Sequence, residues 1–283
     1  MISPCVDVHV HLHPDRLARA IVRHFAEHDN WHAAHSFDPD QVVATLRARG
    51  VTRFCFFSYA HKPGIARSLN EWTAKTAARY PEAIALGTVH AGDDDVVAVV
   101  DEALGDLRLA GLKLHHSVQR FGPDDPRLLP VYERLDAAGG LLMTHAGSMP
   151  YGDVHTGVAR LRPVLARFTR LKVCLAHMGA FEHETSLAMA AEFPNLYLDT
   201  TMAMTPFIAR HVNITRDDLR PAQNLLSQRR ASARALDHLC SRCRGVGGGG
   251  GSSRRTGQLF QSDAERPRLT IHAATTLGYY TVR

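Results

Sequence analysis

The residues of this 283-residue chain whose types could carry chemistry gather at the ends of short apolar runs. The first run is Asp7-Val8-His9-Val10-His11-Leu12-His13. On a strand, side chains alternate with period two, so Asp7, His9 and His11 are expected on one face. Two imidazoles at i and i+2 near the carboxyl end of a strand can chelate one divalent cation from the same side. In a strand covered on both faces, an imidazole pair without a ligand would be costly to leave unsatisfied. Four further runs end in histidine, at His90, His115, His145 and His177, and the last two lead into turns carrying Gly147 and Gly179. Any one of these alone is most simply a satisfied structural histidine. Taken together, His9, His11, His145 and His177 read as a converging metal site. Lys113 and His115 share a strand face, where Lys113 suits a substrate carboxylate or phosphate and His115 a further polar contact; a structural role explains each equally well. His13, His90, His116 and His155 read as loop or surface residues near a pocket. His24, His28, His32 and His35 have no ligand spacing and read as the polar rim of a long first loop, part of a lid.

These residues need elements to position them, and the first 200 residues supply strands and helices in alternation. Strand-like runs are Cys5–His11, Thr52–Ser58, Ala83–His90, Gly111–His115, Gly140–His145, Leu171–His177 and Asn195–Asp199. Helical stretches lie between them, among them Pro39–Arg49, Ile65–Tyr80, Asp94–Leu104, Pro126–Ala138, Thr156–Phe168 and Glu182–Glu192. Asp38-Pro39 and Asp125-Pro126 pair a capping carboxylate with a first-turn proline. Seven strands with crossover helices predict an α/β chain with parallel strands, and an eighth strand would close a (β/α)₈ barrel of the TIM type. A doubly wound open sheet is the alternative, but no G-x-G-x-x-G follows the first strand. Active sites of such barrels lie at the carboxyl ends of the strands, where the histidines stand.

The carboxyl-terminal third reads differently. Residues 1–215 are expected to form the barrel through strand seven. Residues 216–283 are expected to be an irregular segment with a Gly-rich linker and a possible strand eight. Residues 245–253 are a low-complexity Gly-Val-Gly-Gly-Gly-Gly-Gly-Ser-Ser run. The composition around it suits a natural insertion or a shifted reading frame in a GC-rich gene. Seven arginines fall within residues 228–256 against one acid, Asp237, so this segment carries more than the whole formal charge of +5 and the rest of the chain is slightly acidic. A local basic segment is not a field over the fold, and no nucleic-acid partner is expected. No run approaches the ~18 apolar residues of a membrane span, so no membrane partner is expected either. The start of the chain has no basic region followed by an apolar one, which gives a cytoplasmic expectation. Cys5, Cys55 and Cys174 read as reduced, buried small hydrophobes, and the isolated Cys240-x-x-Cys243 pair is weak evidence for zinc or redox chemistry.

Taken together, these motifs resemble the amidohydrolase superfamily, specifically the amidohydrolase-related metal-dependent hydrolases that include the aminocarboxymuconate-semialdehyde decarboxylase type. The resemblance rests on Asp7-x-His9-x-His11, Gly111-Leu-Lys113-Leu-His115, Thr144-His145-Ala-Gly147, Leu175-Ala-His177-Met-Gly179 and Asn195-Leu-Tyr-Leu-Asp199-Thr, in order over about residues 4–205. It implies a (β/α)₈ barrel with a catalytic divalent metal, usually zinc, held by His9, His11 and His145, with His177 as general acid/base or metal-facing residue. It also implies an aspartate at the end of strand eight within Gly-Ser-Asp. The similar string here is Gln261-Ser262-Asp263, beyond the polyglycine run, which makes Asp263 the first candidate and Asp237 the second. The expected activity is hydrolysis of an amide, lactone or ester by a metal-activated water, on a small-molecule substrate for which a carboxylate is one option. One alternative is non-oxidative decarboxylation on the same fold; another is a non-catalytic, degenerate metal-binding barrel.

Overall fold

The computed structural model describes residues 5–28, 31–32, 37–148, 152–203, 208, 225–226 and 281–282. Seven strands stand where the apolar runs place them: β1 (Cys5–His11), β2 (Val51–Phe57), β3 (Ala83–Leu86), β4 (Gly111–His115), β5 (Leu141–His145), β6 (Lys172–Leu175) and β7 (Leu196–Asp199). An eighth, β8, is the two-residue strand Leu225–Leu226, which pairs parallel to β7. β1, β2 and β3 form one parallel ladder in sequence order, and β4 to β8 form a second. The two meet through the parallel Gly87–Leu112 bridge, so the strands run in order from first to eighth. This is the strand order of a (β/α)₈ barrel. Thr281–Val282 pairs antiparallel with Trp31–His32.

The helices are α1 (Asp15–His28), α2 (Pro39–Ala48), α3 (Ala66–Ala77), α4 (Val96–Leu104), α5 (His116–Gln119), α6 (Leu129–Ala138), α7 (Arg162–Arg167) and α8 (His183–Glu192). Asp38 caps α2 by accepting the Gln41 N–H at 3.0 Å behind Pro39, as the sequence predicts. Asp125 does the same for a 3₁₀ turn at Pro126–Leu128. Among the described residues no helix is long and apolar enough to cross a membrane.

Two apolar layers hold the strands. Between strands and helices lie Val42, Leu46, Val99, Val131, Leu135, Leu165 and Met189, with Val10 and Leu12 of β1 and its following turn among them. Inside the barrel lie Val6, Val8, Cys55, Ile84, Met143 and Cys174. Cys55 and Cys174 are buried and reduced, as expected, whereas Cys5 is reduced but only half-buried.

One feature of β1 departs from simple alternation. Val6 and Val8 face the barrel interior, whereas Val10 and Leu12 face the helices. The pairing with β2 slips between Asp7 and Val10. The slip changes parity, so that His9 and His11 turn inward while Asp7 does not share their face. Asp7 instead braces the irregularity, accepting the His9 N–H on Oδ1 at 3.0 Å. Irregularities of this kind re-aim side chains beside active sites. A second departure is α1, a helix where the sequence reading has a loop, which places His24 on a helix.

Candidate active site

The carboxyl ends of the strands bring the histidines to one mouth. His9 Nδ1 lies 2.6 Å from Asp199 Oδ2 at the end of β7, and both side chains are almost wholly buried. A carboxylate only accepts, so Nδ1 carries the hydrogen and Nε2 keeps its lone pair. That Nε2 stands 3.1 Å from His11 Nε2. His177 packs its ring on His9 at 4.7 Å, and donates Nδ1–H to the Thr201 carbonyl at 2.7 Å. His9, His177 and Asp199 each offer a ligand atom within 4.8 Å of the others. His145 meets the His177 ring edge-on at 5.1 Å and stacks on His115 at 4.2 Å with planes 6° apart. Phe57 walls the group from below, its ring 4.9 Å from His9 and 5.0 Å from His11.

Burial governs the protonation of this cluster. It lowers His9, and it holds His11, His115 and His145 well below the ordinary imidazole range, with neighbouring imidazoles and Lys113 adding to the effect. His177 is pushed down to about 3 for the same reason. The rings are therefore neutral at pH 7. Burial pushes the Asp199 carboxyl up, but attraction to His9 and the hydrogen bonds from His9 and the Thr201 N–H outweigh it, and the group is ionised. Lys113 is fully buried beneath the mouth, its Nζ 4.7 Å from the Phe57 ring centre and without a hydrogen-bond partner among the described residues. Burial lowers its value to about 8.

The donor set suits a divalent cation. Two neutral imidazole nitrogens facing each other at 3.1 Å can share one proton at most, whereas an ion between them satisfies both lone pairs. Zinc takes imidazole nitrogen at about 2.0–2.1 Å, which sets its ligand nitrogens a little over 3 Å apart. Asp199 holds His9 in the tautomer that binds through Nε2, the usual task of a carboxylate behind a metal-bound imidazole. Buried Nδ1 atoms of His115 and His145 without partners among the described residues mark further unsatisfied donors or acceptors in the same mouth.

Local backbone explains why these side chains meet. His177, Met178 and Ala180 all adopt positive φ, with Gly179 between them, in a buried turn. Strained backbone of this kind persists where the surroundings fix it, and it clusters at functional sites. The turn packs on the one after β5: a Cβ on Gly147 would lie 2.3 Å from the Gly179 carbonyl oxygen, so only glycine lets the two approach. Across the mouth, Gln119 donates to the Ala60 and Val89 carbonyls at 2.9 and 2.8 Å and accepts the His115 N–H at 2.7 Å. Asn70 brackets the Thr88 backbone in the same manner.

His9, His11, His145, His177, His115 and Lys113 meet at or just below the mouth. Asp263 and Asp237 lie outside the described residues, as does the Cys240–Cys243 pair. His155 is in a turn, near its expected setting. His90 is buried, with its backbone N–H donated to Asp93 Oδ2 and its Nδ1 accepting the Gly92 N–H, so it is a correction to the surface reading. His13 and His116 are corrections. His13 is buried against Ser58 Oγ at 2.8 Å, and His116 is buried between the Phe121 carbonyl and Thr144 Oγ1, both at 2.9 Å. Each follows a strand and is held internally, His116 through both ring nitrogens and His13 through Nδ1, so neither needs the surface. Asp199 joins the candidate site although the motifs alone give it no role. Its signal is its place at the carboxyl end of a strand, the position that singled out the histidines.

Above the mouth lies a cavity of about 770 Å³, floored by Tyr59 and His115 and walled by Leu17, Ile21 and Phe25 of α1 and by Val118. Its size falls within the range of small-molecule sites.

The family model described as amidohydrolase matches residues 6–239. Among solved structures, the chain is similar to a TIM-barrel protein from Bordetella bronchiseptica at 18% identity and a TM-score of 0.58, covering 83% of this chain and 99% of that one. It is similar to 5-carboxyvanillate decarboxylase from Novosphingobium aromaticivorans, solved with manganese and a nitrobenzoic acid, at 12% identity and 0.57, covering 80% and 85%. It is also similar to 2,6-dihydroxybenzoate decarboxylase at 14% identity and 0.56, covering 86% and 93%. The barrel order of the strands, the histidines at their ends and a match over most of the chain agree, and the chain belongs to the amidohydrolase family as an enzyme of its superfamily, in keeping with the aminocarboxymuconate-semialdehyde decarboxylase type.

Proposed function

We propose that the protein is a metal-dependent decarboxylase of a small aromatic or unsaturated acid. The observation that carries this reading is the protonation pattern of the mouth. Imidazoles that burial keeps neutral converge there with aromatic rings, and Asp199, the one carboxylate of the His9–His177–Asp199 group, has both oxygens engaged, by His9 and by the Thr201 N–H. Among the described residues Asp199 is committed to His9 and the Thr201 N–H, which leaves the neutral His177 imidazole as the group placed to move a proton. Loss of CO₂ disperses a carboxylate's charge into the carbon framework, which a desolvated site favours. The decarboxylases among the similar structures support the same reading.

His9, His11 and His145 would hold the metal, which supplies a positive charge to bind and polarise the acid. Zinc fits the imidazole-rich donor set, and manganese in a similar decarboxylase makes it the alternative. The residues of the chain do the rest. Tyr59, Phe57 and the walls of the cavity exclude water and hold the ring. His177, fixed by Thr201, presents Nε2 to the bound acid; the acid's negative charge raises the His177 value, so that Nε2 collects a proton and passes it to the carbon that loses CO₂. The balance is one carboxylate and one proton in, one CO₂ and one C–H bond out. Lys113, buried and close to Asp199 in charge terms, offsets negative charge beneath the site.

The test is CO₂ release from hydroxylated benzoates, 2,6-dihydroxybenzoate and 5-carboxyvanillate among them, run beside hydrolysis of aryl esters and lactones. The expected result is CO₂ equal to acid consumed, abolished in His177→Asn with metal content retained. Ester or lactone turnover without CO₂ would replace this reading with the hydrolytic one, and no turnover by a metal-loaded protein would leave a binding barrel.

A further inference from the structure

A second cavity, of about 730 Å³, lies on the opposite flank of α1 from the mouth, between that helix, the start of α2 and α3. Its apolar wall is Ala18 and Val22 of α1, Phe37 just before α2 and Trp72 of α3. The charges around it are matched: Arg19 pairs with Asp15, Arg79 pairs with Asp40, and Asp38 is taken up in capping α2. Arg23, which also lines the cavity, is exposed. An ion entering this space would shed water without a buried charge to replace it, so the cavity suits a neutral molecule.

The polar groups it offers are neutral as well. His13 lines the cavity and is 2% exposed. Its Nδ1 is bonded to Ser58 Oγ at 2.8 Å, and its Nε2 has no partner among the described residues. Burial lowers its value to about 3, so the ring carries no charge at neutral pH. The Ser58 hydroxyl both donates and accepts, so His13 can take either tautomer and present Nε2 as donor or acceptor. The ring is fixed by its neighbours: Phe37 at 6.2 Å, Tyr59 edge-on at 5.7 Å, and His11, on which it stacks at 5.6 Å with planes 21° apart. Thr76, buried on α3, adds a hydroxyl to the same wall. An apolar wall with aromatic rings and one unused imidazole nitrogen describes a site for a flat ring bearing a hydroxyl.

We infer that this second cavity binds a neutral phenol, with its ring against Phe37 and Trp72 and its hydroxyl on His13 Nε2. A phenol is what remains when a hydroxylated benzoate loses CO₂, so the site takes the product class of the proposed reaction. The inference rests on the decarboxylase reading only for the source of the ligand; the site itself is a binding property. Because His13 packs on His11, a phenol held there bears on the metal centre from outside the mouth.

The experiment titrates 4-fluorophenol and fluorobenzene into the full-length, metal-loaded protein, followed by fluorine NMR with and without saturating benzoate. Trp72→Leu removes one aromatic wall, and His13→Phe keeps the ring while removing its nitrogens; melting temperatures establish that each folds. 4-Fluorophenol should bind about tenfold more tightly than fluorobenzene, as one hydrogen bond provides, and benzoate should not displace it. His13→Phe should erase the difference between the probes, and Trp72→Leu should weaken both. Trp72 is only partly buried, so Trp72→Leu decides the matter alone if His13→Phe does not fold. Equal affinity for the two probes, displacement by benzoate, or unchanged binding in Trp72→Leu would overturn the site. Binding lost in Trp72→Leu, in a protein that never releases CO₂, upholds the site and defeats the decarboxylase reading. CO₂ release with the phenol bound only where benzoate displaces it does the reverse.

Discussion

Asp199 touches no open space, yet it fixes the tautomer of His9 on which the proposed metal site relies. Replacing it with asparagine keeps the shape but lets the side-chain amide present a donor to His9 Nδ1, which favours the wrong tautomer. The expected outcome for Asp199→Asn is metal affinity weakened about 10–100-fold, read by competition with a chromogenic chelator. His9→Ala with His11→Ala should remove bound metal altogether, read by elemental analysis of the purified protein. His116 gives a pH prediction. Burial lowers it to about 4 against about 6.5 in the unfolded chain, so the native state favours its neutral form. Its contribution is complete above pH 6.5 and is lost as pH falls toward 4. Urea unfolding should show about 2 kcal/mol less stability at pH 5 than at pH 7 from this residue alone. His116→Gln should be less stable at pH 7 but lose less on acidification, and an unchanged slope between the two would refute the assignment.

At the scale of elements, the two turns that carry His145 and His177 depend on each other. Gly147→Ala would push a methyl group into the Gly179 carbonyl, where the contact is backbone on backbone and neither side can rotate away. The expected loss is about 3 kcal/mol, seen as a lower urea midpoint, with a larger loss of metal binding than of fold. The seven strands were legible because each is a short run rich in β-branched and other apolar residues bounded by turns, and the helix starts at Pro39 and Pro126 because a carboxylate precedes a proline. α1 was not, although Leu17, Ala18, Ile21, Val22 and Phe25 follow a helical period. Its histidines drew attention to a loop, while its apolar stripe is what places it over the mouth. The parity change in β1 could not be read either, since alternation alone gives no sign of a register slip.

For the whole molecule, the candidate site was legible as a set of strand ends, because a barrel converts order along the chain into convergence in space. What sequence could not give was the partner of each histidine: His13 finds Ser58, forty-five positions along the chain, and His9 finds Asp199 at the far end of the barrel. Zinc that binds only the native state should raise stability by about 2.7 kcal/mol at a hundred times its dissociation constant. Thermal unfolding with and without zinc measures this, and the gain should vanish in the His9→Ala/His11→Ala protein.

The Gly87–Leu112 bridge makes the barrel two unequal pieces, one of three strands and one of five, joined there by a few backbone hydrogen bonds, from Ala110 to Ala85, Gly87 to Gly111 and Lys113 to Gly87. His9 and His11 belong to the smaller piece, and His145, His177 and Asp199 to the larger. An ion shared between them would act as a rivet across that joint. Amide deuterium exchange at Gly87 and Lys113 should therefore slow on metal addition more than exchange within either piece, so that the seam itself reports occupancy of a centre it does not touch.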